Sequence, residues 1–138
     1  MGADSEWGSA SAALKDRQAI GKLAEEEACA FLQKRGLRLI TRNYRCRLGE
    51  IDLIMWDRSS IVFIEVRCRK PSVFGTAAET VTSLKQRKLI KAAMYYLQQQ
   101  RISEQQVCRF DVVAMTTSRR GMQISWIKDA FQASGAFY

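Results

Sequence analysis

The chain has 138 residues, 47% of them hydrophobic and 26% charged, the size and balance of one globular domain and not of a disordered or fibrous chain. A formal net charge of +8 and a sequence pI near 9.6 favour a polyanionic partner, nucleic acid first, through long-range fields and counterion release. The absence of histidine excludes imidazole bases, imidazole metal ligands and every Ser-His-Asp or Cys-His arrangement, so catalysis here runs on carboxylates, Lys, Arg and a metal.

No apolar run approaches the roughly 20 residues that span a bilayer, and the N-terminus lacks the basic start, apolar centre and cleavage site of a secretory signal. No membrane partner and a cytoplasmic location are the expectations. The four cysteines, Cys29, Cys46, Cys68 and Cys108, form no C-x-x-C pair, which suits buried reduced thiols better than a zinc site.

Residues 1–18, with their Gly, Ser and Ala, read as a flexible N-terminal tail, and residues 19–138 as one domain. From Ile20 to Arg35 the apolar residues Ile20, Ala24, Ala28, Phe31 and Leu32 recur at helical spacing, and Gly36 is a natural C-terminal stop. Leu37 to Arg45, Glu50 to Trp56 and Ile61 to Arg69 then read as three strands separated by short turns, hence as antiparallel neighbours. Pro71 ends the third strand. A second helix begins around Ser83, with Ser83 and Gln86 at the spacing of a capping box and Leu84, Ile90, Ala93, Met94 and Leu97 as its buried stripe. Val107 to Met115 and Met122 to Ile127 are the last two strands, turning at Ser118-Arg119-Arg120-Gly121. The segment between the third and fourth strands is long enough for a crossover helix, so the expected fold is α/β, a mixed central sheet with helices packed on it.

Two carboxylates interrupt the apolar strands. Alternation puts Glu50, Asp52, Ile54 and Trp56 on one face of the second strand, with Ile51, Leu53 and Met55 on the other; Ile61, Phe63, Glu65 and Arg67 share a face of the third. A hairpin loop of Asp57 to Ser60 pairs Trp56 with Ile61, Ile54 with Phe63, Asp52 with Glu65 and Glu50 with Arg67. Two carboxylates so opposed, with Cβ atoms about 5 Å apart, repel unless a positive charge lies between them. A hard divalent ion, magnesium or manganese, fits an all-oxygen site on Asp52 and Glu65, completed by water or phosphate. The other solution is an ion pair for each carboxylate with a neighbouring Arg. On the first helix Glu25 lies beside Ala28 and Leu32, so it leans toward the sheet, whereas Glu26 points away. Arg45, Arg47, Arg69, Lys70, Lys85 and Lys88 flank these positions and suit phosphate contacts, and Tyr44 or Trp56 suits stacking on a base.

Taken together, Gly49-Glu50-Ile51-Asp52-Leu53-Ile54, Val62-Phe63-Ile64-Glu65-Val66-Arg67-Cys68-Arg69, Phe74-Gly75, Lys85 and Arg109-Phe110-Asp111-Val112-Val113 resemble the bacterial YraN-type family of predicted endonucleases. That family is related to Holliday-junction resolvases within the PD-(D/E)XK nuclease superfamily, and the likeness runs from about Ile20 to Phe131. It implies a restriction-endonuclease-like core over residues 19–138 and metal-dependent hydrolysis of DNA phosphodiesters, with branched or junction DNA among the substrates and a homodimer among the assemblies. By position it assigns Asp52 and Glu65 as metal ligands and Glu25 as the helix glutamate of the catalytic set. Arg67 occupies the motif's lysine position. Arginine stays protonated, so Arg67 supplies electrostatic stabilisation only; the alternative is a non-catalytic nucleic-acid-binding protein on a nuclease fold.

Overall fold

In the computed structural model, which describes residues 2–69 and 81–133, two helices sandwich a five-stranded sheet. The order along the chain is α1 (Gly2–Lys34), β1 (Arg38–Cys46), β2 (Gly49–Asp57), β3 (Ser60–Arg69), α2 (Ser83–Gln99), β4 (Cys108–Ser118) and β5 (Gly121–Phe131). Strands follow the same order across the sheet, antiparallel except for the parallel β3–β4 pair. This is the expected mixed α/β sheet, with α2 as the crossover that a parallel pair requires.

Helix α1 starts at Gly2, not at Ile20, and so runs through the stretch read as a flexible tail. Alanine-rich sequence without proline has ample helix propensity, and the absence of an apolar stripe hid it from a periodicity argument. The end of α1 is as expected. Gly36, at φ 97°, lets the Gly36 N–H reach Gln33 O (3.0 Å) and the Leu37 N–H reach Leu32 O (3.1 Å), satisfying two carbonyls that a helix end otherwise leaves open.

Helix α2 is capped one residue earlier than the sequence suggested. Thr82, extended at φ −62° and ψ 159°, accepts the Lys85 N–H on its hydroxyl oxygen at 3.2 Å, while the Gln86 side chain donates to Val81 O at 2.9 Å. The helix is also turned relative to the expected stripe. Leu89, Ile90, Ala92, Ala93 and Tyr96 are buried, whereas Leu84 and Met94 are exposed.

The sheet separates two apolar clusters. Leu53, Met55, Val62, Ile64, Val113 and Met115 pack against Ala24, Ala28, Cys29 and Leu32 of α1. Ile54, Ile61, Phe63, Phe110 and Val112 pack against Leu89, Ile90, Ala93 and Tyr96 of α2. Strict alternation fails in β2: Ile51 packs on the α2 side with Ile54, while Leu53 packs on the α1 side. The strand turns over at Asp52. Of the cysteines, all free, Cys29 is buried, Cys46 and Cys108 are half-buried and Cys68 is exposed, so the expectation of buried thiols holds fully only for Cys29.

Candidate metal centre and basic cleft

The β2–β3 turn is tighter than expected. Asp57 pairs with Ser60, leaving Arg58 and Ser59 as the turn, with Arg58 at φ 56°. The register is nonetheless the expected one, with Trp56 opposite Ile61 and Ile54 opposite Phe63. Pairing runs only as far as Leu53–Ile64. Beyond it β2 stays with β1 and β3 stays with β4, so the two strands fork, and the fork is where Asp52 and Glu65 lie. They meet there through side chains and not as the ladder pair that the sequence suggested. Asp52 fills the gap by accepting the Val66 N–H on Oδ2 at 2.8 Å.

Glu65 is 5% exposed and half-buried Glu25 approaches from α1; both make side-chain hydrogen bonds with Asp52. Such contacts need protons. Burial first, and then the charge of Asp52, push Glu25 and Glu65 each up to about 7, and burial pushes Asp52 up as well. Lys85 opposes this at Glu65, its Nζ standing 3.4 Å from Oε1, and Arg67 Nη1 stands 3.7 Å from the same oxygen. Glu50 does not face Arg67; it pairs with Arg45 at 3.4 Å, both side chains well exposed.

A pH dependence follows from these shifts. Between about 4.5 and about 7 the folded protein holds protons on Glu25 and Glu65 that the unfolded chain has released, so stability falls as pH rises through that window. Urea melts of the metal-free protein are expected to lose on the order of 2 kcal/mol between pH 5 and pH 8, and Glu65→Gln is expected to remove about half of that slope, Glu25 supplying the rest.

The donor set fits a hard ion in a particular way. Among the described residues no three or more His, Cys, Asp or Glu side chains form a group arranged to hold a metal. Asp52 and Glu65 are instead a pair, the number of carboxylates with which magnesium is commonly held when water and phosphate complete its shell.

Beside the fork lies a cleft of about 460 Å³ lined by Arg45, Arg47, Gly49, Glu50, Lys85 and Lys88 among others. The β1–β2 turn approaches α2 closely here. A Cβ on Gly49, at φ 156°, would lie 3.1 Å from the Lys88 carbonyl oxygen, so only glycine permits this approach without strain. Four of the six predicted phosphate contacts, Arg45, Arg47, Lys85 and Lys88, thus share one wall system. The Arg69 side chain and Lys70 lie outside the described residues. Tyr44 and Trp56 are less suited to stacking than expected: the Tyr44 ring packs edge-on against Tyr96 and its hydroxyl donates to Gln99 at 3.1 Å, and Trp56 packs against the α2-side core.

Residues 24–115 match the family described as "Uncharacterised protein family UPF0102". A UPF0102 protein of Nitrosococcus oceani is 54% identical over 112 residues, covering 81% of this chain and 90% of the relative. One from Coxiella burnetii is 54% identical over 115 residues, 83% and 93% of the two chains, and one from Stutzerimonas stutzeri is 43% identical over 120 residues, 87% and 100%. The chain belongs to the UPF0102 family.

Within this UPF0102 chain, two residues matter in ways the sequence did not suggest. Lys85 was read as a phosphate contact, yet its ammonium lies against Glu65, so a second cation stands at the carboxylate beside Arg67. Asp111 had no role assigned. It is 0% exposed and accepts from Arg109 Nε (3.0 Å), Trp126 Nε1 (2.9 Å) and the Asp129 N–H (2.9 Å), while Arg109 also bonds Asp57 at 2.7 Å. A charged residue amid Phe110, Val112 and Val113 was the available signal, since a carboxylate in an apolar strand needs a partner.

Proposed function

We propose that this protein is a metal-dependent endonuclease with a restriction-endonuclease-like fold that hydrolyses DNA phosphodiester bonds, branched or junction DNA being its substrate class. The observation that carries the reading is the pair of buried Glu65 and half-buried Asp52 at the strand fork, opening beside a cleft walled by Arg45, Arg47, Lys85 and Lys88. Asp52 and Glu65 would hold magnesium or manganese. When bound, such an ion supplies charge neutralisation and activation of water.

The chain's own residues do the rest. Arg45, Arg47 and Lys88 hold the phosphate backbone along the cleft, a sequence-independent contact that sets register. Lys85 and Arg67 place positive charge at Glu65, beside the phosphate where negative charge grows during hydrolysis. Glu25, in hydrogen-bond contact with Asp52, helps orient that carboxylate. The cytoplasm, where DNA and reduced thiols coexist, is the matching location, and among the described residues no helix is long and apolar enough to cross a membrane. A homodimer would present two such sites to a two-fold symmetric substrate.

A second reading rests on a specific observation: Lys85 and Arg67 already pair with Glu65, as they would in a nucleic-acid-binding protein whose carboxylates serve an ion-pair network. A cleavage assay on linear, flapped and four-way DNA with manganese separates the two. The nuclease reading expects cuts by wild type, loss with Glu65→Ala, and preference for branched substrates. DNA bound tightly but left intact by wild type would support the binding protein.

A further inference from the structure

One residue near the fork has a backbone that neither packing nor a turn explains. Asn43 sits within β1 at φ 50°, a left-handed conformation costly for most residues and tolerated best by asparagine among non-glycines. It is exposed, so burial of its side chain does not hold it there. Tyr44, next to it on the strand, packs on the α2 side, as does Cys46, so by alternation Asn43 falls on the α1 face.

Position in the sheet completes the picture. Arg42 pairs with Leu53 and Tyr44 with Ile51, which leaves Asn43 across from Asp52. Its side chain hydrogen-bonds the Glu25 carboxylate, and an amide there donates to a carboxylate oxygen. Asn43, Glu25 and Asp52 therefore form a chain of contacts across β1, α1 and β2. Strain kept at an exposed position next to a reactive cluster is the pattern of a residue retained for placement of its neighbour.

We infer that Asn43 is a positioning residue: its amide fixes the Glu25 carboxylate against Asp52, and through Glu25 it sets the affinity of the Asp52–Glu65 pair for a divalent ion. This rests on the metal reading above. Asn43 is not one of the proposed ligands, and the side-chain contact it makes toward them is its hydrogen bond to Glu25.

The test is a double-mutant cycle of manganese affinity by calorimetry on the full chain: wild type, Asn43→Gly, Glu25→Gln and both together. Glycine adopts φ 50° freely, so Asn43→Gly deletes the amide while keeping the backbone, and a thermal melt within a few degrees of wild type verifies it. Asn43→Gly is expected to weaken manganese binding about tenfold, as outer partners of metal ligands commonly do, and to weaken it no further in the Glu25→Gln background. Unchanged affinity in Asn43→Gly, or an equal loss in both backgrounds, overturns the positioning role while leaving the metal site intact. No manganese uptake by wild type overturns the metal reading, and this inference with it; the wild-type trace alone distinguishes that outcome.

Discussion

Replacing Asp52 with asparagine is expected to abolish manganese uptake and to cut DNA cleavage at least about 100-fold, while making the metal-free protein more stable than wild type at pH 8. The two effects have one origin. Asp52 lies between Glu25 and Glu65 and its charge helps push both up to about 7. Removing that charge lowers the cost of ionising its neighbours, so the gain in stability is on the order of 1 kcal/mol at a pH where both would otherwise be forced to ionise beside it. Asparagine also keeps a side-chain oxygen for the Val66 N–H, now held at 2.8 Å, so the strand fork retains its bridge. A carboxylate cluster that stores repulsion to serve the proposed metal site gives this opposite movement of function and stability. Urea melts at pH 5 and pH 8, with calorimetry alongside, check it. A stability loss at pH 8 would mean that Asp52 is held chiefly by its structural hydrogen bonds.

Asp111→Ala is expected to destabilise the fold by about 3–5 kcal/mol, the cost of breaking a buried ion pair from one side. Asp111 ties β4 to β5 through Trp126 and the Asp129 N–H, and to the end of β2 through Arg109 and Asp57. Alanine would leave the Arg109 guanidinium with Asp57 alone, and the Trp126 indole N–H and the Asp129 amide without an acceptor in a part-buried setting. The positive φ of Asp129, 52°, is held by that amide contact. A fall in the urea midpoint at unchanged slope reads the effect. Asp111→Asn keeps an acceptor and is expected to cost less than alanine, which separates the charge contribution from the hydrogen bonds.

The chemistry available to the molecule was legible in the residues. With no histidine and no C-x-x-C pair, carboxylates were the candidate ligands for the proposed metal, and period-two alternation around Asp52 and Glu65 placed two of them on adjoining strands. Local pattern also sufficed for element order and for the β2–β3 register, because the apolar pairs Trp56–Ile61 and Ile54–Phe63 admit one alignment. Glu25 was reachable from the helical stripe of Ala24, Ala28 and Leu32.

What local pattern does not carry is the departure from ideality and the meeting of distant segments. The fork after Leu53–Ile64 breaks the alternation at Ile51, and nothing in a two-residue period signals where a ladder ends. Asn43 reads as an ordinary strand residue until its left-handed backbone and its contact with Glu25 are seen together. Lys85 is 20 positions from Glu65 in sequence, and the first turn of α2 reaches that carboxylate only because the crossover from β3 returns over the sheet. The pair Asp52 and Glu65 was thus written in side-chain identity and spacing, which act over a few residues. Its burial, its shared protons and its choice of counter-cations came from packing across α1, α2 and the sheet, where contacts form between residues that no short-range rule connects.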